Sequence, residues 1–79
     1  MMITLKILSP QGEVLSAAAE LVELPGSQGR FEVLRDHAPL VTSLDQGVIR
    51  YVEKGTSREI PCPGGFADVR NNVVTVCLG

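Results

Sequence analysis

The feature that most constrains this chain is its punctuation. Breaker clusters recur at Ser9-Pro10-Gln11-Gly12, Pro25-Gly26, Ala38-Pro39, Asp45-Gln46-Gly47, Lys54-Gly55-Thr56, Pro63-Gly64-Gly65 and Asn71-Asn72. Turn signals every 8–12 residues or so have the spacing expected of an all-β sandwich or barrel, a string of short strands. The segments between them alternate. Ile3, Leu5 and Ile7 fall on one face of Met2 to Leu8, with Thr4 and Lys6 on the other. Glu13 to Ser16 reads as the return strand. Ala17 to Leu24 is rich in helix formers, but it is short and Pro25 cuts it off, so a strand is expected over Glu20 to Leu24. Further strands are expected at Leu40 to Leu44, Val48 to Glu53, Ser57 to Cys62, Phe66 to Arg70 and Val73 to Leu78. The fold class is therefore all-β, a small antiparallel β-sandwich of about eight to ten short strands in one domain spanning residues 1–79.

Composition narrows the function classes. The net charge is −2 with both signs scattered, and one Tyr and two Phe are the aromatics. A basic footprint and stacking platforms for nucleic acid are both missing. A metal site needs clustered ligands, whereas this chain has one His and two Cys, Cys62 and Cys77, without a Cys-x-x-Cys unit. The two cysteines read as small apolar residues near strand ends. His37 is the sole candidate catalytic base and reads as a loop imidazole, so no catalytic residue and no cofactor is expected. The glycines at 26, 29, 64 and 65 lack the Gly-Lys-Ser/Thr ending of a phosphate loop. The N-terminus already alternates like a strand, which points away from a signal peptide. No apolar run approaches the roughly 20 residues that span a bilayer as a helix.

The stretch from Leu24 to Leu40 carries most of the remaining information. Pro25-Gly26 is expected at the centre of a type II turn, with Gly26 at positive φ. Phe31 and Val33 should then face one side of a strand, with Arg30 and Glu32 on the other. Ala38 precedes proline, so His37-Ala38-Pro39 should be a stiff extended loop. The stretch reads as a shaped surface without a reaction centre.

The run Leu24-Pro25-Gly26-x-x-Gly29-x-Phe31-x-Val33-Leu34, followed by His37-Ala38-Pro39-Leu40, resembles the epsilon subunit of F-type ATP synthases. Gly64-Gly65-Phe66 and Asn72-Val73-Val74-Thr75-Val76 match that family in order and approximate spacing. The resemblance implies a non-catalytic rotor subunit of a proton- or sodium-driven enzyme. Its β-sandwich would pack on the γ subunit and on the polar loops of the c-ring, peripheral to the cytoplasmic face of a bacterial inner membrane. It implies ring contacts at Gln28, Gly29, Arg30, Phe31 and Glu32, and γ contacts at Ser9, His37, Ala38, Pro39 and Leu40. An apolar patch for γ is expected on one outer face. The family's C-terminal helical hairpin has no counterpart here, so the expected form is sandwich-only. In that family an acidic residue is usual where Arg30 stands and Gly where Glu32 stands. Pro-Gly is usual at Arg35-Asp36, so a tight turn before His37 would have to form without it.

Two other readings belong beside this one. Lipoyl and biotinyl carrier domains are of similar size and all-β, with a modified lysine at a hairpin tip where Lys54 would lie. Their Asp-Lys-Ala or Met-Lys-Met flanks differ from Glu53-Lys54-Gly55. A generic β-sandwich adaptor for some other protein is the third.

Overall fold

The computed structural model describes residues 2–79. Nine strands follow in order: β1 (Ile3–Ser9), β2 (Gly12–Ala19), β3 (Leu21–Gly26), β4 (Gly29–Val33), β5 (Leu40–Leu44), β6 (Gly47–Glu53), β7 (Thr56–Cys62), β8 (Gly65–Arg70) and β9 (Val73–Leu78). They form one curled sheet in the order β2-β1-β9-β8-β5-β3-β6-β7, with β4 added beside β3. The sheet bends at a single register pair, Gly26 with Leu44. Flanking bonds clamp that corner: Ser27 N–H donates to the Ser43 carbonyl at 3.0 Å and Asp45 N–H to the Pro25 carbonyl at 2.8 Å. One layer is then β2-β1-β9-β8-β5 and the other β4-β3-β6-β7.

Alternation explains which residues meet between the layers. Ile3, Leu5, Ile7, Val69, Val74 and Val76 come from the first layer, and Val22, Leu24, Val33, Ile49 and Tyr51 from the second, into one core. Burying each large aliphatic side chain contributes roughly 1.5–3 kcal/mol. The core is dry of polar groups: among the described residues no polar or charged side chain is buried.

The structure departs from the sequence reading in three places. The strand pairs are antiparallel except β1 and β9, which run parallel with Thr4 beside Val73 and Leu8 beside Cys77. The alanines belong to β2, which continues to Ala19 because it pairs with β1 along its whole length. Backbone pairing and burial outweigh alanine's modest helix preference there. Pro25 and Gly26 are the last residues of β3, opposite Arg30 and Gly29, and the turn itself is Ser27-Gln28. Pro25 sits where β3 leaves β6 for β5, the one interval in which a missing N–H interrupts no ladder. Gly26 is required for space instead of for positive φ: a Cβ there would lie 2.9 Å from the Phe31 ring and 2.7 Å from the Gly29 carbonyl.

The turn before His37 does form without Pro-Gly. His37 N–H donates to the Leu34 carbonyl at 3.2 Å, and Asp36 takes φ 64° at the position a glycine would favour. Asn71-Asn72 and Lys54-Gly55 join their hairpins as two-residue turns with both residues at positive φ.

Candidate docking surface

The strand register assigns the outward side chains of the first layer. Leu8, Cys77 and Phe66 are consecutive register partners on β1, β9 and β8, followed by Ser43 on β5. Val41, two residues back along β5, lies diagonal to Phe66. Phe66 is 50% exposed and Val41 65%, two prominent apolar groups of this face. Leu8 and Cys77 are half-buried beside them. The neighbouring row is polar, running Lys6, Thr75, Asp68 and then Val41. Arg70 closes its edge by a bidentate pair with Asp68, at 2.9 Å and 2.8 Å. An apolar row thus crosses three strands on a surface that the domain's own core does not use.

The residues expected to meet γ lie at both ends of this face. Ser9 ends β1 beside the apolar row, its hydroxyl accepting the Gln11 N–H at 3.2 Å. His37, Ala38, Pro39 and Leu40 lead into β5 at the opposite end. Leu40 is level with Leu5 through Val69 and Val74, four positions along β1 from Ser9. That is about 13 Å along the strands. His37 is half-buried, and its Nδ1 lies 2.7 Å from the Ala38 carbonyl, which can only accept, so Nδ1 carries the proton. The structure therefore does not gather Ser9 and His37 into one cluster. It sets them as the two limits of a strip, with the apolar row near one end.

The residues expected to meet the ring do gather, on the β3–β4 hairpin. Gly26, Gln28, Gly29, Arg30 and Phe31 line one side of an open cleft of about 510 Å³, and Leu40, Val41 and Thr42 of β5 line the other. Phe31 points inward against the core and its ring covers Gly26. Arg30 and Glu32 point outward on the second layer, as alternation requires, but with different freedom. Arg30 Nη1 donates to the Val48 carbonyl at 2.7 Å, and Nη2 lies 3.5 Å from Glu23. Arg50 holds the same Glu23 carboxylate through two bonds of 2.9 Å and donates to the Ser57 hydroxyl at 3.1 Å. The hydrogen bonds from Arg50 hold the Glu23 carboxyl below its ordinary value of 4.5, against the cost of partial burial. Glu23 in turn raises the Arg50 guanidinium above its ordinary value, chiefly through the same bonds. Arg30 is thus tied into a network on its own sheet, whereas the exposed Glu32 carries the hairpin's outward charge.

Lys54 stands at an exposed hairpin tip, as expected, with the following Gly55 N–H held by Glu20 at 2.9 Å. Cys62 is buried and Cys77 half-buried, both as free thiols. Among the described residues no helix is long and apolar enough to cross a membrane. Sequence reasoning expected an apolar outer patch without naming its members. Val41 was missed because it sits in a segment, Leu40 to Leu44, whose alternation suits either face; only the pairing with β8 puts it next to Phe66.

Comparison with known proteins bears on the whole of this surface. Residues 2–78 match the family model described as the ATP synthase delta/epsilon chain β-sandwich domain. The ATP synthase epsilon chain of Desulfitobacterium hafniense is 47% identical over 73 residues, covering 92% of this chain and 55% of that one. The epsilon chain of a Synechococcus species is 42% identical over 78 residues, 99% of this chain and 56% of that one. The chain thus spans about half the length of the curated relatives it matches. Among solved structures, a chain in the Euglena gracilis mitochondrial ATP synthase assembly of OSCP, F1 and c-ring superposes with a TM-score of 0.91 at 22% identity, over 98% of this chain and 50% of that one. A chain in the Tetrahymena thermophila mitochondrial ATP synthase central stalk and c-ring gives 0.79 at 13% identity, over 95% and 61%. These two establish likeness of fold. The family match over nearly every residue, joined to relatives above 40% identity, settles descent: this chain belongs to the delta/epsilon β-sandwich family of ATP synthases.

Proposed function

We propose that this chain is a non-catalytic docking piece of an ATP synthase rotor, seated between the γ subunit and the c-ring. The outer strip of β2-β1-β9-β8-β5 would lie on γ, from Ser9 at one end to His37, Ala38 and Pro39 at the other, with Leu40, expected among these contacts, packed beneath them against the core. The β3–β4 hairpin would face the polar loops of the ring through Gln28, Gly29 and Glu32, while Phe31, expected among these contacts, packs inward and supports the hairpin from the core side. In that position the chain is peripheral to the cytoplasmic face of a bacterial inner membrane and transmits ion-driven rotation to ATP synthesis.

The observation that carries the reading is the apolar row of Leu8, Cys77 and Phe66 with Val41 beside it, exposed on a family member whose core lies elsewhere. The arithmetic of a rotating joint favours such a row over ion pairs. One elementary charge moved through 100 mV delivers about 2.3 kcal/mol. An exposed ion pair holds roughly 0.2–1 kcal/mol, so charge contacts alone would slip. A stable joint buries on the order of 1,200–2,000 Å² around apolar anchors. Because Arg30 is already tied to Val48 and Glu23, Glu32 is the hairpin group left to meet a basic or polar ring loop.

Affinity-tagged chain, expressed in its own cells and recovered from mildly solubilised membranes, should bring down γ and ring subunits together. Recovery of neither would refute the proposal. Recovery of γ without the ring would confine it to the outer strip.

A further inference from the structure

The loop Leu34 to Pro39 contains a residue under conformational strain and a side chain from a distant turn that answers it. Asp36 holds φ 64°, a left-handed conformation that L-residues adopt at a cost, though aspartate less than most. Its N–H donates to Asn72 Oδ1 at 2.6 Å, and Asn72 Nδ2 donates back to Asp36 Oδ1 at 3.1 Å. The carboxylate accepts only, which fixes the amide's orientation and makes the pair reciprocal. Asn72 is itself anchored, because its carbonyl accepts the Thr4 N–H at 2.9 Å at the head of the parallel β1–β9 pair.

We infer that Asn72 is a positioning residue: its amide clasps Asp36 and so holds the turn that aims His37, Ala38 and Pro39. The chain of support runs from β1 through the Asn72 backbone and amide to Asp36, and then to His37 through its bond to Leu34. The nearby Arg35–Asp36 contact does not substitute for it. At 3.8 Å, with Asp36 72% exposed on its side chain, that pair is loose and open to solvent. The consequence for docking rests on the reading of His37 to Pro39 as part of the γ strip; the clasp itself does not.

The test separates the two. Asn72→Gly removes the amide while leaving a residue that suits positive φ in the Asn71-Asn72 turn, so the hairpin keeps its geometry. In the isolated chain, exchange of the His37 amide hydrogen should quicken on the order of five- to tenfold, about what losing a clasp of this kind yields. Amides within β8 and β9 should keep their rates. In a background of Asp36→Gly, where the turn no longer needs left-handed aspartate and only the backbone N–H half of the clasp is left to lose, the same substitution should quicken His37 exchange by a clearly smaller factor. An unchanged His37 rate in Asn72→Gly, an equal effect in both backgrounds, or a parallel acceleration across β8 and β9 would each overturn the clasp. Titration against purified γ completes the set: Asn72→Gly should weaken binding by a factor similar to its exchange effect, and Asp36→Gly should restore it. If His37 exchange behaves as expected but no form of the chain binds γ, the clasp stands and the docking reading falls.

Discussion

At Gly65 the backbone tolerates no side chain. The residue holds φ 143°, and a Cβ placed on it would overlap the Cys77 carbonyl across the β8–β9 ladder. Neither atom is the end of a flexible side chain, so relief requires moving backbone. Gly65→Ala should cost about 2–4 kcal/mol, combining left-region strain with a displaced ladder. The denaturant midpoint should fall correspondingly, with little change in its slope. Glu23 makes a different kind of prediction. Its carboxyl is held below 4.5, first by hydrogen bonds from Arg50, so the folded state binds that proton less readily than the unfolded one. The resulting stability is present above about pH 4.5 and is lost as pH falls through the lowered folded value. Glu23→Gln should therefore lose less stability than the parent chain between neutral pH and pH 3–4, by urea melts at a series of pH values. An equal or steeper acid loss would remove Glu23 from the account.

The β3–β4 hairpin shows how far an element can be read from its letters. Alternation alone set Phe31 and Val33 against Arg30 and Glu32, and the structure agrees. What the letters could not supply was contact across strands. Pro25-Gly26 carries a strong local turn signal, yet the pair is extended because Asp45, just past β5, bonds the Pro25 carbonyl and Phe31 needs the room above Gly26. The same holds for Arg30, whose charge looked available until its reach to Val48 and Glu23 was visible. Ile3, Leu5 and Ile7, by contrast, were legible at once, since a strand with one face buried and the other in solvent has one period and one answer. The tight packing at Gly26 is testable as a coupling. Gly26→Ala should destabilise by about 1–3 kcal/mol through overpacking. Phe31→Ala should recover part of that loss in the double variant, a coupling of roughly 0.5–2 kcal/mol in chemical denaturation. Recovery should be incomplete, because the Gly29 carbonyl lies at 2.7 Å whatever residue stands at 31.

Across the whole molecule, two layers do separate work. The second layer spends its outer charges on itself, through Arg30, Glu23 and Arg50, whereas the first leaves an apolar row outward. Phe66→Glu should leave the melting temperature nearly unchanged, since Phe66 is half-exposed and outside the core, while, on the docking proposed above, weakening capture of γ at least tenfold. A variant that melts normally and binds γ as the parent does would move the docking surface elsewhere. The parallel partnership of β1 with β9 reaches further than the finished surface. β1 must wait, bonded on one side to β2, until β9 arrives to fill the other. A growing polypeptide can therefore form its opening hairpin early, but the layer that bears the apolar row has a gap at its centre until synthesis of β9 is complete. Such distant pairing places the chain among slow folders, in the millisecond-to-second range. It also means that a half-made molecule cannot present the row as a continuous surface.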